Sequence, residues 1–225
     1  MTVSHRPTPA ASGAALLVAA VATATLASGL GQRLAILGTL VGVGLLVASG
    51  RPSPVSLPPG LLTAAGSAVV VASVGWVFTA VPTLGARYEL LPGLAGLLLL
   101  GLGVRPVRQR FARRFVSAGL AALLVGVALA GIFERAGPIQ LLVATAGAVV
   151  AWNLAEHGIS LGEQLRSDAA TTGVELLHGG VTAAYGGLLV VVAIALYGNG
   201  TANLPLGGVV LLLLTALSLL ALLYR

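Results

Sequence analysis

The chain alternates between long stretches in which nearly every position is apolar and short stretches that gather its Arg, Pro and acidic residues. The long stretches show neither period-two alternation nor a polar face. Leu97-Leu98-Leu99-Leu100 and Val210-Leu211-Leu212-Leu213-Leu214 are apolar on every side. Strands of a membrane barrel alternate apolar and polar residues, whereas a helix surrounded by lipid is apolar all round. A crossing helix takes about 20 such residues, within a range of about 17–25. The pattern predicts an all-α, polytopic transmembrane helix bundle forming a single integral membrane domain over residues 1–225. About eight spans are expected, at 10–30, 34–49, 61–81, 90–104, 115–133, 138–152, 181–197 and 205–224.

The boundaries follow from helix-breaking chemistry. Gly50-Arg51-Pro52-Ser53-Pro54 and Pro58-Pro59-Gly60 separate the second and third spans, because proline lacks an N–H and turns its predecessor away from the helix. Pro82 stops the third span, and Pro92 fits the first turn of the fourth. The second and fourth spans are short, and a re-entrant pairing of the two would lower the count. The apolar run after Arg6 is about twice the usual signal-peptide core of about 7–15 residues, so it is expected to stay as a first helix.

Composition points the same way. Hydrophobic residues make up 57% of the chain and charged residues 8%, against about 25% charged in a soluble domain. Too few charges are available to cover a water-exposed surface. Cysteine is absent, which excludes disulfides, thiolate metal ligation and a Cys nucleophile. All 12 basic residues are Arg, so chemistry that needs a lysine is excluded, including the Walker-type phosphate loop. The net charge of +6 sits in short connecting stretches. Its natural anionic partner is the phospholipid surface rather than a nucleic acid, which would call for a broad basic face on a soluble platform.

Those Arg also set an orientation. With eight spans, one side of the membrane holds Arg6, Arg51, Arg105, Arg108, Arg110, Arg113, Arg114, Arg166 and Arg225, and the other holds Arg33, Arg87 and Arg135. Cytoplasmic loops carry the excess, which places both termini in the cytoplasm of a multi-pass plasma-membrane protein. Asn199-Gly200-Thr201, a glycosylation-acceptor pattern, then falls outside.

Three features carry candidate chemistry. The first is the basic loop with Arg105, Arg108, Arg110, Arg113 and Arg114, interleaved with Phe111 and Phe115. It is a lipid or acidic-partner contact, or simply the determinant of topology, and the second reading is favoured because orientation already demands it. The second is small residues at four-residue spacing: Gly38 and Gly42, then Ala122, Gly126 and Ala130, then Ala144 and Ala148. Such faces let helices approach closely. The third lies between spans six and seven, where four of the six acidic residues and two of the three His gather.

That third segment predicts a cytoplasmic helical hairpin extension with a turn at Ser167-Asp168. Glu156 and Glu163, seven residues apart, share a helical face, as do Glu175 and His178. Carboxylates and Glu-x-x-His pairs on facing helices hold di-metal centres, so Glu156, His157, Glu175 and His178 are candidate metal ligands, with Glu163 too far out to be a good one. The ligand set is incomplete, and a solvated hairpin with its charges in water or against Arg166 is favoured. In either case Glu156 or His157 is expected to approach Glu175 or His178 across the hairpin. No catalytic arrangement and no cofactor motif is found, and no span carries an ionisable residue at its apolar centre.

Ala151-Trp152-Asn153-Leu154-Ala155-Glu156, Ser160-Leu161-Gly162-Glu163-Gln164-Leu165 and Val174-Glu175-Leu176-Leu177-His178 together resemble a family of haloarchaeal multi-pass membrane proteins of unknown function. The resemblance covers about 30 residues and implies an archaeal plasma membrane in molar salt, where the Debye length is about 3 Å. It brings no catalytic residues. The expected function is therefore a non-enzymatic membrane subunit or scaffold with a membrane or cytoplasmic protein partner. A small-solute transporter or channel, and a metal-dependent membrane enzyme, are the alternatives.

Overall fold

The computed structural model describes residues 7–51, 58–105, 109–164 and 172–198. Among the described residues the chain is all helix, in the order α1 (Pro9–Leu26), α2 (Leu30–Ser49), α3 (Pro59–Ala80), α4 (Leu84–Val104), α5 (Gln109–Ile132), α6 (Pro138–Gln164) and α7 (Thr172–Gly198). Of these, α1 to α6 are long and apolar enough to cross a membrane, and α7 carries a shorter apolar stretch, Gly179–Ala195. Residues 205–224, Asn199 and the turn at Ser167-Asp168 lie outside the described residues.

Proline opens three of the helices, at Pro9, Pro59 and Pro138, where its missing N–H would have had no partner anyway. Pro82 ends α3 just after Val81. Three helices start earlier than their apolar runs: α5 at Gln109, ahead of Phe115, and the two expected to be short, α2 and α4. α2 takes in Gly31, Gln32 and Arg33, and α4 takes in Arg87 and Glu89, with Pro92 inside the helix rather than in its first turn. Neither is short. For α2 the reason is capping: Gln32 Oε1 accepts from the Ser28 N–H at 2.7 Å and the Gly29 N–H at 3.2 Å, closing the helix start over its own free donors.

The helices pack chiefly as α4 on α5, α2 on α3 and α1 on α6, with α7 against α6 and α1. α4 is the most enclosed of the six long helices and α3 the least. The core runs along α4 through Leu90, Leu94, Leu97, Leu100 and Val104, and meets Val43 of α2 and Val116 of α5. Glycine sets the closest approaches. A Cβ on Gly42 would stand 2.8 Å from the Gly66 carbonyl oxygen and 2.9 Å from the Val70 nitrogen. One on Gly119 would stand 3.0 Å from the Leu100 nitrogen and 3.1 Å from the Gly96 oxygen. These are backbone-to-backbone contacts, the means by which helices attract one another in lipid.

The expected small-residue faces are used, but with partners the spacing did not name. Gly42 meets Gly66, Gly38 faces Ser73, and Gly126 lies against Gly93. Ala130, Ala144 and Ala148 are buried, and Ala122 is half-buried.

The α5–α6 turn contains the one non-glycine residue with positive φ among those described, Glu134 at φ 51°. The Arg135 N–H reaches the Ala130 carbonyl at 3.0 Å and the Glu134 N–H reaches the Gly131 carbonyl at 3.1 Å. This pair of bonds is a Schellman motif with glutamate where glycine is usual. Left-handed backbone costs a residue with a Cβ about 1–2 kcal/mol. Glu134→Gly should therefore raise stability by about 1 kcal/mol, read as a higher midpoint of thermal unfolding in detergent; an unchanged or lower midpoint would contradict the strain.

Candidate functional site

The α1–α2, α3–α4 and α5–α6 turns lie at one end of the bundle, the glutamate end. The C-terminal ends of α2, α4 and α6 and the start of α3 lie at the other, the arginine end. Polar side chains organise both.

At the glutamate end the key group is Glu89. The apolar pattern, with the fourth span starting at Leu90, puts it in a loop and no ionisable residue deep in a span. The structure places it in α4 with 4% of its surface exposed. Its Oε2 lies 3.0 Å from Nε of Arg135, which comes from the α5–α6 turn. Nε2 of Gln32 donates to its Oε1 at 3.3 Å. Arg135 Nη2 also donates to Ser28 Oγ at 3.2 Å. A carboxylate in surroundings of low dielectric needs such a counter-ion, since an unpaired buried charge costs several kcal/mol. The cluster thus joins the α1–α2 turn, α4 and the α5–α6 turn. Beneath it is a cavity of about 10 Å³, lined by Thr23, Gln32, Glu89, Gly93, Gly126 and Ala148 among others. That is the room of roughly one water molecule. The signal that could have found Glu89 is the placement of a lone acid between Tyr88 and Leu90-Leu91, directly before an apolar run.

At the arginine end the basic loop divides by role. Arg113 on α5 bridges two carboxylates of α6, Glu163 at 2.8 Å and Glu156 at 3.7 Å, and its Nη2 lies 3.5 Å from Ser160 Oγ. Glu156, Ser160 and Glu163 do share one helical face, but that face meets α5. About half of the Arg113 side chain remains exposed, so the bridge contributes no more than about 1 kcal/mol. Arg114 is exposed. Arg108 and the side chain of Arg110 lie outside the described residues.

Arg105 differs from the others. It follows the last residue of α4 and turns inward, its Nη2 donating to Ser49 Oγ at 3.1 Å and Thr63 Oγ1 at 3.2 Å. The Thr63 hydroxyl in turn lies 3.0 Å from Ser49 Oγ. Side chains from α2, α3 and α4 therefore converge on one guanidinium. The hydroxyls at positions 49 and 63 carry no charge and belong to no known motif, so nothing in their spacing singles them out.

Two helices flank the segment in which a hairpin is expected, and residues 165–171 between them lie outside the described residues. α6 continues without a break to Gln164 and α7 begins at Thr172. Thr182 Oγ1 lies 3.4 Å from Asn153 Oδ1, which ties the two helices in register. The side chains of Glu175 and His178 lie outside the described residues, as does Arg166. Among the described residues, no three His, Asp or Glu side chains come together as a metal site, and Glu156 and Glu163 are turned toward Arg113.

No curated protein and no solved structure matches the chain. A family model described as "Family of unknown function (DUF7519)" matches residues 57–220. The match takes in α3 to α7, and with them Glu89, Arg105, Arg113 and Arg135, while α1 and α2, with Gln32 and Ser49, precede it. On that coverage the chain belongs to DUF7519, a family of unknown function.

Proposed function

We propose that the protein is a non-enzymatic subunit or scaffold of an archaeal plasma membrane, spanning it eight times with both termini in the cytoplasm. In this reading the arginine end is cytoplasmic, and its basic loop, Arg105 to Arg114, contacts anionic lipid. The α6–α7 hairpin is offered there to a protein partner. The observation that carries the reading is the close packing of the described helices. Among the described residues the helices meet through backbone contacts at Gly42–Gly66 and Gly96–Gly119, and the cavity beside Glu89 has room for one water. A bundle packed in this way supports assembly better than passage of a solute. Purification in mild detergent should yield a complex of fixed stoichiometry; a monodisperse single chain under those conditions would count against it.

Orientation has its own test, made simple by the absence of cysteine. In intact cells, a membrane-impermeant maleimide should label Glu134→Cys and not Arg114→Cys. The reverse pattern would invert the topology.

Glu89 favours a second reading, a small-solute transporter. An acid buried within a helix long enough to span a membrane is the usual mark of an ion or substrate path. Flux of a monovalent cation or proton into vesicles containing the purified protein, lost in Glu89→Gln, would support this reading over the first.

A further inference from the structure

We propose that Arg105, Ser49 and Thr63 form the seat of one phospholipid phosphate, a single bound lipid wedged at the arginine end between α2, α3 and α4. The proposal rests on the reading of the basic loop as a lipid contact and narrows it to one residue and one headgroup.

Depth is the first argument. α4 has 21 residues and α2 has 20. At about 1.5 Å per residue each is about 30 Å long, the thickness of the hydrocarbon core. Ser49 closes α2 and Arg105 follows α4 directly. Both therefore stand where acyl chains give way to headgroups, and Thr63 lies one turn inside α3.

Charge is the second. The Arg105 guanidinium is half-buried, and its bonds among the described residues go to two neutral hydroxyls. Its Nε–H has no acceptor there. Elsewhere Arg135 is matched by Glu89 and Arg113 by Glu156 and Glu163, while the half-buried Arg87 donates through Nε to the Val81 carbonyl at 2.7 Å. No acidic residue occurs between positions 50 and 63 or between 90 and 133, so the neighbouring chain supplies no counter-ion. A cation held half out of water at headgroup depth calls for an anion, and the membrane supplies phosphate.

Chemistry is the third. Guanidinium binds phosphate oxygens with charge-assisted, directional bonds. Hydroxyls beside it add donors that can rotate toward the same oxygens. Arg113 lacks this setting because its carboxylates already occupy it, and Arg114 lacks it because no hydroxyl holds it inward. The five-arginine loop is thus not one electrostatic patch, and its members are not interchangeable.

The test uses the full chain, purified in mild detergent, and native mass spectrometry after incubation with phosphatidylglycerol vesicles. Wild type should retain one phospholipid per chain. Arg105→Gln should reduce its occupancy roughly fivefold, the change that corresponds to about 1 kcal/mol for one base at an anionic surface. Arg105→Lys should retain part of it, and Arg114→Gln all of it. Equal retention in Arg105→Gln, or no retained lipid in wild type, would overturn the proposal. Equal loss in Arg105→Gln and Arg114→Gln would overturn the seat and leave the general lipid contact of the loop standing. Displacement of the lipid by millimolar inorganic phosphate would assign the site to a free anion instead. Should Arg105→Gln not fold, a photoactivatable phosphatidylglycerol on wild type decides the matter: cross-links at the C-terminal turns of α2 and α4 and the first turn of α3 are expected, and cross-links confined to other helices would overturn the seat.

Discussion

Arg135→Ala should cost the folded protein about 3–5 kcal/mol, the usual penalty for removing one partner of a buried ion pair. Glu89 keeps only 3% of its side chain exposed, against 27% for Arg135, and the asymmetry fixes the order of effects. Without Arg135, the carboxylate stays enclosed by α1, α4 and α5, with Gln32 as its remaining donor. Without the carboxylate, as in Glu89→Gln, the longer Arg135 side chain can turn to water and keep its bond to Ser28. Glu89→Gln should therefore cost about 1–3 kcal/mol, the scale of one lost charged hydrogen bond. Replacing both residues by Met should recover most of the loss, because an apolar pair of similar volume removes the charge along with its partner. Unfolding midpoints of the three variants in one detergent check this. If Glu89→Gln were as damaging as Arg135→Ala, the carboxylate would have a role besides pairing, and the transporter reading would gain.

The second large effect is expected at the α2–α3 contact. Gly42→Ala puts a Cβ against the Gly66 carbonyl and the Val70 nitrogen. Both are backbone atoms, so no side chain can turn aside and the helices must separate. Overpacking of this kind costs about 1–3 kcal/mol. Gly44, on the same helix, has nothing within 4 Å of a built Cβ, and Gly44→Ala should be neutral or mildly favourable on helix propensity. The pair of variants separates packing from propensity. Equal effects on the unfolding midpoint would show that α3 is not held through Gly42.

The all-α class and the order of the described helices are legible in the sequence because both depend on local properties. A backbone in lipid has no water to bond to, so every long apolar run must close its own hydrogen bonds as a helix. Proline and clustered Arg mark where such runs stop. The same locality explains the errors at Gln32 and Glu89. Hydropathy treats a charged or amide side chain as the edge of a helix, yet α2 and α4 run through these positions. Gln32 bonds back to its own helix start, and Glu89 is neutralised by a residue 46 positions later in the chain.

The division of the basic loop has a similar cause. Arg105, Arg113 and Arg114 are the same residue type within ten positions, and their side chains differ only in what the bundle sets opposite them. Arg113 faces the carboxylates of α6, Arg105 the hydroxyls of α2 and α3, and Arg114 open surface. Composition and spacing thus determined that this chain is a bundle of apolar helices joined by short stretches that carry Arg and Pro. Which charges are paired, which glycines touch and which arginines are left without an acid were decided by tertiary structure. Pair energies depend on distance and burial, and those are set by helices far apart in the sequence.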